Sequence, residues 1–177
     1  IRRLRNRLRK AVQEGLQKEM EKLRLGVIGF GNMGTAHVRS VMEGRVPDMV
    51  MGAVCDTAPA RQEASRRQYP QIPVFGDAGE MFGSGLCDAV IIATPHYDHP
   101  ALAMEAFRHG LHVVTEKPAG VYTKQVKEMN AAAAQASGKG IRFGIMYNQR
   151  TNPVYQKLRD MIGKGELGHL KRITWII

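Results

Sequence analysis

Short apolar segments alternate with helical segments along most of this chain, and the alternation limits the folds that it can adopt. The apolar segments are continuous in Val and Ile, which is typical of strands covered on both faces. Strands joined through helices by short links pair in parallel through right-handed crossovers. The pattern therefore predicts a doubly wound, parallel α/β sheet. Its strands are expected at residues 25–30, 49–56, 73–75, 87–94, 111–115 and 141–147.

Helices are predicted between these strands, and the loop from each strand to the next helix is where function is expected. In a doubly wound sheet, ligands bind beyond the carboxyl ends of the strands. The loops that matter therefore follow Phe30, Asp56, Thr94 and Thr115. The helices are expected at residues 33–43, 58–68, 77–82, 99–109 and 123–137.

The segment GFGNMG, residues 29–34, is the clearest local signal for a ligand. It follows an apolar strand and opens a helix, as a dinucleotide-binding turn does, although a plain glycine turn is the alternative. Gly29 allows the tight turn, Gly31 lets the backbone approach a pyrophosphate, and Gly34 lets the helix pack on the strand. The helix N-terminus offers N–H groups to phosphates. The residues predicted to bind the cofactor here are Gly29, Phe30, Gly31, Asn32, Met33 and Gly34.

Asp56, at the end of the second predicted strand, indicates which dinucleotide is bound. Its carboxylate could accept hydrogen bonds from the adenosine ribose hydroxyls. The same charge would repel a 2′-phosphate, so NAD is predicted rather than NADP. A solvated Asp that caps the next helix is the alternative. Arg61 leaves NADP possible, because a flexible arginine could reach a phosphate.

The loop ATPHYDHP, residues 93–100, is predicted to contact the cofactor through Thr94, Pro95 and His99. Pro100 suits the first position of a helix, which places His99 at the N-cap. The positive end of the helix favours a neutral imidazole there. His99 could then hydrogen-bond a ribose, the nicotinamide or a substrate hydroxyl. A surface loop with exposed histidines is the alternative.

The segment TEKP, residues 115–118, ends the fifth predicted strand on the edge where a nicotinamide would rest. Lys117 could act as a base if the substrate desolvates it. Otherwise it could stabilise a developing alkoxide as a hydrogen-bond donor. Pro118 would fix the geometry of the loop. The alternative is an exposed ion pair between Glu116 and Lys117, which would contribute little.

Metal and disulfide chemistry are not predicted. His96, Asp98 and His99 lie close together in sequence, but no further ligands are near them. Cys55 and Cys87 are the only cysteines, and their spacing is not that of a zinc site. Such cysteine usage favours a reducing cytosol.

The net charge of +10 lies mostly in the first 24 residues, which hold nine Lys and Arg against three Asp and Glu. Because the other 153 residues carry a net charge of only +4, no nucleic-acid partner is predicted. No apolar run approaches the roughly 18 residues of a membrane span.

Residues 1–19 read as a basic amphipathic helix, with apolar residues at every fourth position. It could bind phosphate, membrane or a partner. The favoured interpretation is an appendage without a role in the chemistry, with Met20 as the native start. We expect a cytoplasmic protein.

These motifs, in this order and at these strand ends, resemble the Gfo/Idh/MocA family, the group of glucose–fructose oxidoreductase and inositol dehydrogenase. The resemblance extends from about residue 20 to residue 177. The matching segments are GFGNMG (29–34), ATPHYDH (93–99), EKP (116–118), NQRTNP (148–153) and GELG (165–168).

The resemblance implies a Rossmann domain that binds NAD, with NADP possible. Family members move hydride between the nicotinamide and a hydroxyl or carbonyl of a sugar, cyclitol or related polyol. Lys117 matches the catalytic lysine beside the reacting hydroxyl, and Glu116 the residue that supports the nicotinamide ribose. His99 matches the histidine of the TP loop, and Arg150 the arginine that leads to a second domain.

The resemblance also implies how the chain is divided. Residues 20–147 would form the cofactor domain, and residues 148–177 the connection to a truncated α+β substrate domain and its first strand. The general base is expected beyond Ile177. A homo-oligomer is expected for the full-length form.

The sequence supports three hypotheses about function. The first is the cofactor-binding half of a nicotinamide-dependent oxidoreductase acting on a polyol. The second is a non-catalytic, stand-alone dinucleotide-binding module or sensor. The third is a reductase of another substrate on the same fold, such as biliverdin or an amino-acid precursor.

Overall fold

A computed structural model describes residues 22–174. The helix predicted for residues 1–19, the start predicted at Met20 and the last three residues lie outside the described part of the chain. The described residues divide by their contacts into two compact units, and the division falls between Ile145 and Met146.

The first unit is a six-stranded sheet of β1 (Leu23–Ile28), β2 (Met49–Cys55), β3 (Val74–Phe75), β4 (Ala89–Ile92), β5 (His112–Thr115) and β6 (Phe143–Ile145). The strands lie in the order β3-β2-β1-β4-β5-β6. All five pairs of neighbouring strands are parallel. This is the strand order of the Rossmann fold, so the predicted doubly wound parallel sheet is confirmed.

Five helices connect these strands, and local sequence sets where several of them begin. Pro59 is the first residue of α2 (Pro59–Gln68), where a missing N–H costs nothing. The Asp77 side chain caps α3 (Ala78–Gly83) by accepting from the Glu80 N–H at 2.9 Å. The helices are α1 (Asn32–Met42), α2 (Pro59–Gln68), α3 (Ala78–Gly83), α4 (His99–Arg108) and α5 (Thr123–Ser137).

The core consists of two buried clusters. Neighbouring strand residues fall into different clusters, as with Ile91 and Ile92, because successive side chains point to opposite faces of a sheet. Val38 of α1 belongs to one cluster and Met129 of α5 to the other. Burying each Val or Ile side chain contributes about 1.5–3 kcal/mol. The need to bury both faces is why the apolar runs in the sequence are continuous.

The carboxyl ends of the neighbouring strands β1, β4 and β5 are level with one another. Ile28 of β1 pairs with Ile92 of β4, and Ile92 pairs with Thr115 of β5. Neighbouring strands lie about 4.8 Å apart, so the ends of β1 and β5 are about 10 Å apart with β4 between them. The glycine turn and the Lys117 loop therefore leave the same edge of the sheet.

Several strand boundaries differ from the prediction. The fourth and sixth strands are shorter than residues 87–94 and 141–147. The first strand was predicted to run to Phe30, but it ends at Ile28. Gly29 has a φ of 90°, which takes the chain out of the sheet.

The second unit begins with a 3₁₀ helix at Asn148–Thr151, followed by α6 (Pro153–Gly163). The Asn152 side chain caps α6 by accepting from the Val154 N–H at 3.0 Å. This helix was not predicted from the sequence. The strand expected near the end of the chain is not present in residues 171–174, and residues 175–177 lie outside the described range.

Candidate functional site

A cavity of about 650 Å³ opens at the carboxyl ends of β1, β2 and β4. It lies where the strand order reverses, which is where ligands bind in a doubly wound sheet. Five of the predicted cofactor residues line it together with Arg61 of α2. These residues are Gly29, Gly31, Asp56, Thr94 and Pro95.

The three glycines of the turn differ in what their missing side chains allow. A Cβ on Gly29 would lie 2.7 Å from the Ala93 carbonyl oxygen, and one on Gly34 would collide with the Gly29 carbonyl. At Gly29 and Gly34, contacts within the chain itself leave no room for a side chain, so glycine is required there. A Cβ on Gly31 would approach only the Arg61 guanidinium, at 3.7 Å. Space is therefore left above Gly31, facing the cavity, where a phosphate could approach the backbone.

Helix α1 presents backbone donors at the same place. Gly31 is its N-cap, and no side chain in residues 22–174 caps it. The Thr35 N–H closes the first helical turn by donating to the Gly31 carbonyl at 2.9 Å. The N–H groups of Asn32, Met33 and Gly34 precede that bond, and first-turn donors of this kind bind anions. The arrangement fits a pyrophosphate.

Phe30 is held by the chain itself. Its side chain is buried, with its ring edge-on to Tyr69. Its N–H donates to Asp56 Oδ2 at 2.7 Å, and its carbonyl accepts from Arg61 Nη1 at 2.9 Å. Phe30 was predicted to contact the cofactor. In this arrangement its N–H is not free, and the residue fixes the shape of the turn.

Asp56 joins three segments at the rim of the cavity. Besides the Phe30 N–H, its carboxylate accepts from the Ala58 N–H at 2.9 Å, just before α2. The N-cap of α2 is Ala58, so Asp56 does not cap that helix in the usual sense. A carboxylate can accept about four hydrogen bonds, which leaves capacity for a ribose hydroxyl. Arg61 is not the freely moving side chain considered from sequence, because its guanidinium is held on the Phe30 carbonyl.

His99 is turned into the protein. It is 1% exposed, with Nδ1 at 2.8 Å from the Pro118 carbonyl oxygen and Nε2 at 3.0 Å from the Thr94 carbonyl oxygen. The prediction that it caps α4 is wrong, because Asp98 holds that position and His99 begins the helix. Both ring nitrogens are directed at backbone carbonyls. Neither nitrogen is therefore free for the direct hydrogen bond to cofactor or substrate that was expected from the sequence. His99 instead links the loops after β4 and β5.

Glu116 and Lys117 do not form the exposed ion pair considered as an alternative. Glu116 is 5% exposed, and its Oε1 lies 2.8 Å from His37 Nε2 on α1. Its Oε2 accepts from the Lys117 backbone N–H at 3.2 Å. The Lys117 side chain is exposed at the edge of the sheet. Glu116 therefore supports the loop from within.

His37 is a site residue that sequence reasoning missed. It lies on α1 beside the buried Val38 and faces the end of β5. A lone histidine on a helix gives no sign of a partner far away in the sequence. Only the folded sheet, on which α1 packs against β1 and β2 while Glu116 follows β5, brings His37 and Glu116 together.

Cys55 is among the residues that line the cavity, but it is almost fully buried. Burial raises the pKa of Cys55 to about 12, so the thiol stays protonated and is a poor nucleophile. Within residues 22–174, no three His, Cys, Asp or Glu side chains are grouped to bind a metal ion. None of the helices described is long and apolar enough to cross a membrane.

The strand order, the glycine turn and the cavity at the switch point together define a dinucleotide-binding Rossmann domain. The model of the Gfo/Idh/MocA oxidoreductase family, NAD-binding Rossmann fold, matches residues 23–143. The chain belongs to this family, as its motifs indicated.

Curated relatives match a longer stretch of the chain than the family model does. The rhizopine catabolism protein MocA of Rhizobium meliloti is 33% identical over 155 residues, which is 88% of this chain and 47% of the relative. The inositol 2-dehydrogenase of Arthrobacter sp. (strain FB24) is 31% identical over 150 residues, 85% of this chain and 44% of the relative. The chain thus spans less than half the length of these relatives.

Solved structures agree on the fold. The WlbA dehydrogenase of Bordetella pertussis, in complex with NADH and UDP-GlcNAcA, superposes with a TM-score of 0.75 at 28% identity, covering 83% of this chain and 43% of that one. The scyllo-inositol dehydrogenase of Lactobacillus casei, with NAD(H) and scyllo-inositol bound, gives 0.77 at 22% identity over 83% of this chain and 42% of that one.

Proposed function

We propose that this chain is the NAD(H)-binding half of an oxidoreductase that moves hydride between the cofactor and a hydroxyl or carbonyl of a sugar, cyclitol or related polyol. The observation that carries the proposal is the open space above Gly31, beside the first-turn N–H groups of α1 and at the mouth of the cavity. The family match and the inositol dehydrogenases among the relatives support the choice of reaction and substrate class.

Different residues of this chain would bind different groups of the cofactor. The first turn of α1 would bind the pyrophosphate, and Asp56 the adenosine ribose. Thr94 and Pro95 line the cavity beside them. Bound nicotinamide would supply the hydride acceptor or donor. Lys117, exposed on the same edge, would donate a hydrogen bond to the oxygen that becomes an alkoxide.

NAD is the proposed cofactor, in preference to NADP. The Asp56 carboxylate is fixed by two backbone N–H groups and would face a 2′-phosphate with a like charge. Arg61 is held on the Phe30 carbonyl and would have to leave it to bind that phosphate. Titration with NADH and NADPH tests the choice, and tighter binding of NADPH would overturn it.

Two segments of this chain would have different places in the full enzyme. Residues 20–147 are the proposed cofactor domain, and residues 148–177 the proposed connection to a substrate domain. The length of the relatives supports that division. The general base and most of the substrate pocket would lie in the second domain, and a homo-oligomer is the proposed assembly.

The test is a fluorescence titration of the 177-residue chain with NADH. Gly31→Val should weaken binding at least about tenfold, because the new side chain fills the phosphate space. The backbone at Gly31 has a φ of −84°, which valine tolerates, so the variant should fold. Gly163→Val is the matched control, since a Cβ there meets nothing within 4 Å. No binding by the parent chain, or unchanged binding by Gly31→Val, would refute the proposal.

Turnover separates the oxidoreductase from a non-catalytic module. The 177-residue chain should bind NADH but convert little or none of a panel of polyols, because the general base is expected elsewhere. The enzyme with its substrate domain should oxidise at least one of them. Robust turnover by the 177-residue chain would contradict the assignment of the base to a second domain.

A further inference from the structure

A partly buried polar link connects α1, the helix proposed to bind phosphate, to the backbone of Lys117. His37 lies on α1, which opens at the glycine turn, and Glu116 follows β5. The two side chains meet at 2.8 Å and are 17% and 7% exposed. The other oxygen of Glu116 accepts from the Lys117 N–H at 3.2 Å. The link therefore runs from α1 through two side chains to one backbone amide.

The carboxylate at the centre of this link depends on both of its partners. In the part of the chain that the structure describes, His37 and the Lys117 amide are the groups bonded to it. A buried carboxylate is costly unless it is paired and hydrogen-bonded. Without His37, Glu116 must take up a proton or rotate toward water. Either change weakens or breaks its bond to Lys117.

The backbone around Lys117 is held on its other side as well. The carbonyl of Pro118 lies 2.8 Å from His99 Nδ1. The Lys117 side chain is exposed, so packing does not fix its direction. The direction in which the ammonium leaves the edge of the sheet is set mainly by the backbone, which Glu116 and His99 hold.

We propose that His37 is a positioning residue for Lys117 and acts through Glu116. It fixes the Lys117 backbone relative to α1, so the site that receives the pyrophosphate and the lysine at the reactive end keep a constant separation. The importance of that separation rests on the proposed function. The link between His37 and the Lys117 backbone does not, and the two can be tested apart.

The first measurement is amide hydrogen exchange at Lys117 in the cofactor-free chain, followed by NMR. His37→Leu should speed exchange at least about tenfold, because the partner of the amide is lost. His37→Gln should restore near-parental exchange, since its amide nitrogen can donate at a similar reach. Arg39→Leu, at an exposed position of the same helix, is the control and should leave exchange unchanged.

A second pair of variants shows whether His37 acts through Glu116. Glu116→Leu removes the acceptor and leaves no unpaired buried carboxylate, so it remains informative if His37→Leu does not fold. Adding His37→Leu to Glu116→Leu should change Lys117 exchange less than twofold. Unchanged exchange in His37→Leu, or a further tenfold increase in the double variant, would overturn the positioning role.

The second measurement is site-resolved labelling of the Lys117 amine, read by mass spectrometry with and without saturating NADH. Cofactor should slow labelling of Lys117 in the parent chain, with the exposed Lys124 and Lys127 as internal references. In His37→Leu that protection should fall at least about threefold, and His37→Gln should recover it. Equal protection in all three would refute the inference. NADH binding without protection in the parent chain would instead refute the place given to Lys117 in the proposed function.

Discussion

Replacing Asp56 with Asn should destabilise the chain by about 2 kcal/mol, although the two side chains have nearly the same shape. The Asp56 carboxylate accepts from two backbone N–H groups, those of Phe30 at 2.7 Å and Ala58 at 2.9 Å. An Asn side chain has one carbonyl oxygen, and its NH₂ group cannot accept. One of the two N–H groups would face a donor, and a hydrogen bond to a charged acceptor contributes about 1.5–3 kcal/mol.

Asp77 provides a matched control for this prediction. Its carboxylate caps α3 by accepting from one N–H, that of Glu80 at 2.9 Å. Asn is as good a cap as Asp, so Asp77→Asn should cost less than about 0.5 kcal/mol. Urea unfolding of both variants gives the two free energies. Equal losses of unfolding free energy in the two variants would show that the two N–H donors bound to Asp56 do not govern its contribution to stability. NADH affinity, measured on the same samples, should fall only for Asp56→Asn.

Three further predictions concern catalysis, thiol reactivity and acid stability. Lys117→Met should leave NADH affinity within about threefold, yet lower turnover in the enzyme with its substrate domain at least a hundredfold; equal losses of both would make Lys117 structural. Burial raises the pKa of Cys55 to about 12 and that of Cys87 to about 11, so neither should react with a thiol reagent at pH 8 until the chain unfolds. The side-chain hydrogen bond from Arg24 lowers the pKa of Asp88, so the stability that it contributes is full above the unfolded carboxyl pKa of about 3.9 and is lost as pH falls through the lower folded value. Both side chains are more than a third exposed, so Asp88→Asn should cost at most about 1 kcal/mol at pH 6 in urea unfolding, and this cost should shrink as pH falls through the folded pKa.

The sheet could be predicted from the sequence because its signals are local. Each strand is a run of apolar residues that must be covered on both faces, and each crossover is a helix with its own start and stop residues. The glycine turn was predicted for the same reason, since its three glycines are read within six positions. The strand ends then followed from the topology, which brought Gly31, Asp56 and Thr94 to one cavity.

The orientations and partners of single side chains could not be predicted in this way. His99 was expected to face a ligand but is directed at the carbonyls of Thr94 and Pro118. Glu116 was expected to support a ribose and is bonded to His37, 79 positions away in the chain. Such pairings depend on how a helix packs on a strand, which no local pattern contains. That Lys117 lies beside the nicotinamide stays a prediction.

The central place of β1 has a consequence for how the protein is made. The strand is synthesised before the other strands of the sheet, yet one of its neighbours is β4, which begins only at Ala89. Until β4 leaves the ribosome, β1 has an unpaired, apolar edge that includes Val27 and Ile28. Nascent chains that stall before Ala89 should therefore be clients of chaperones, whereas chains released after β5 can complete the centre of the sheet.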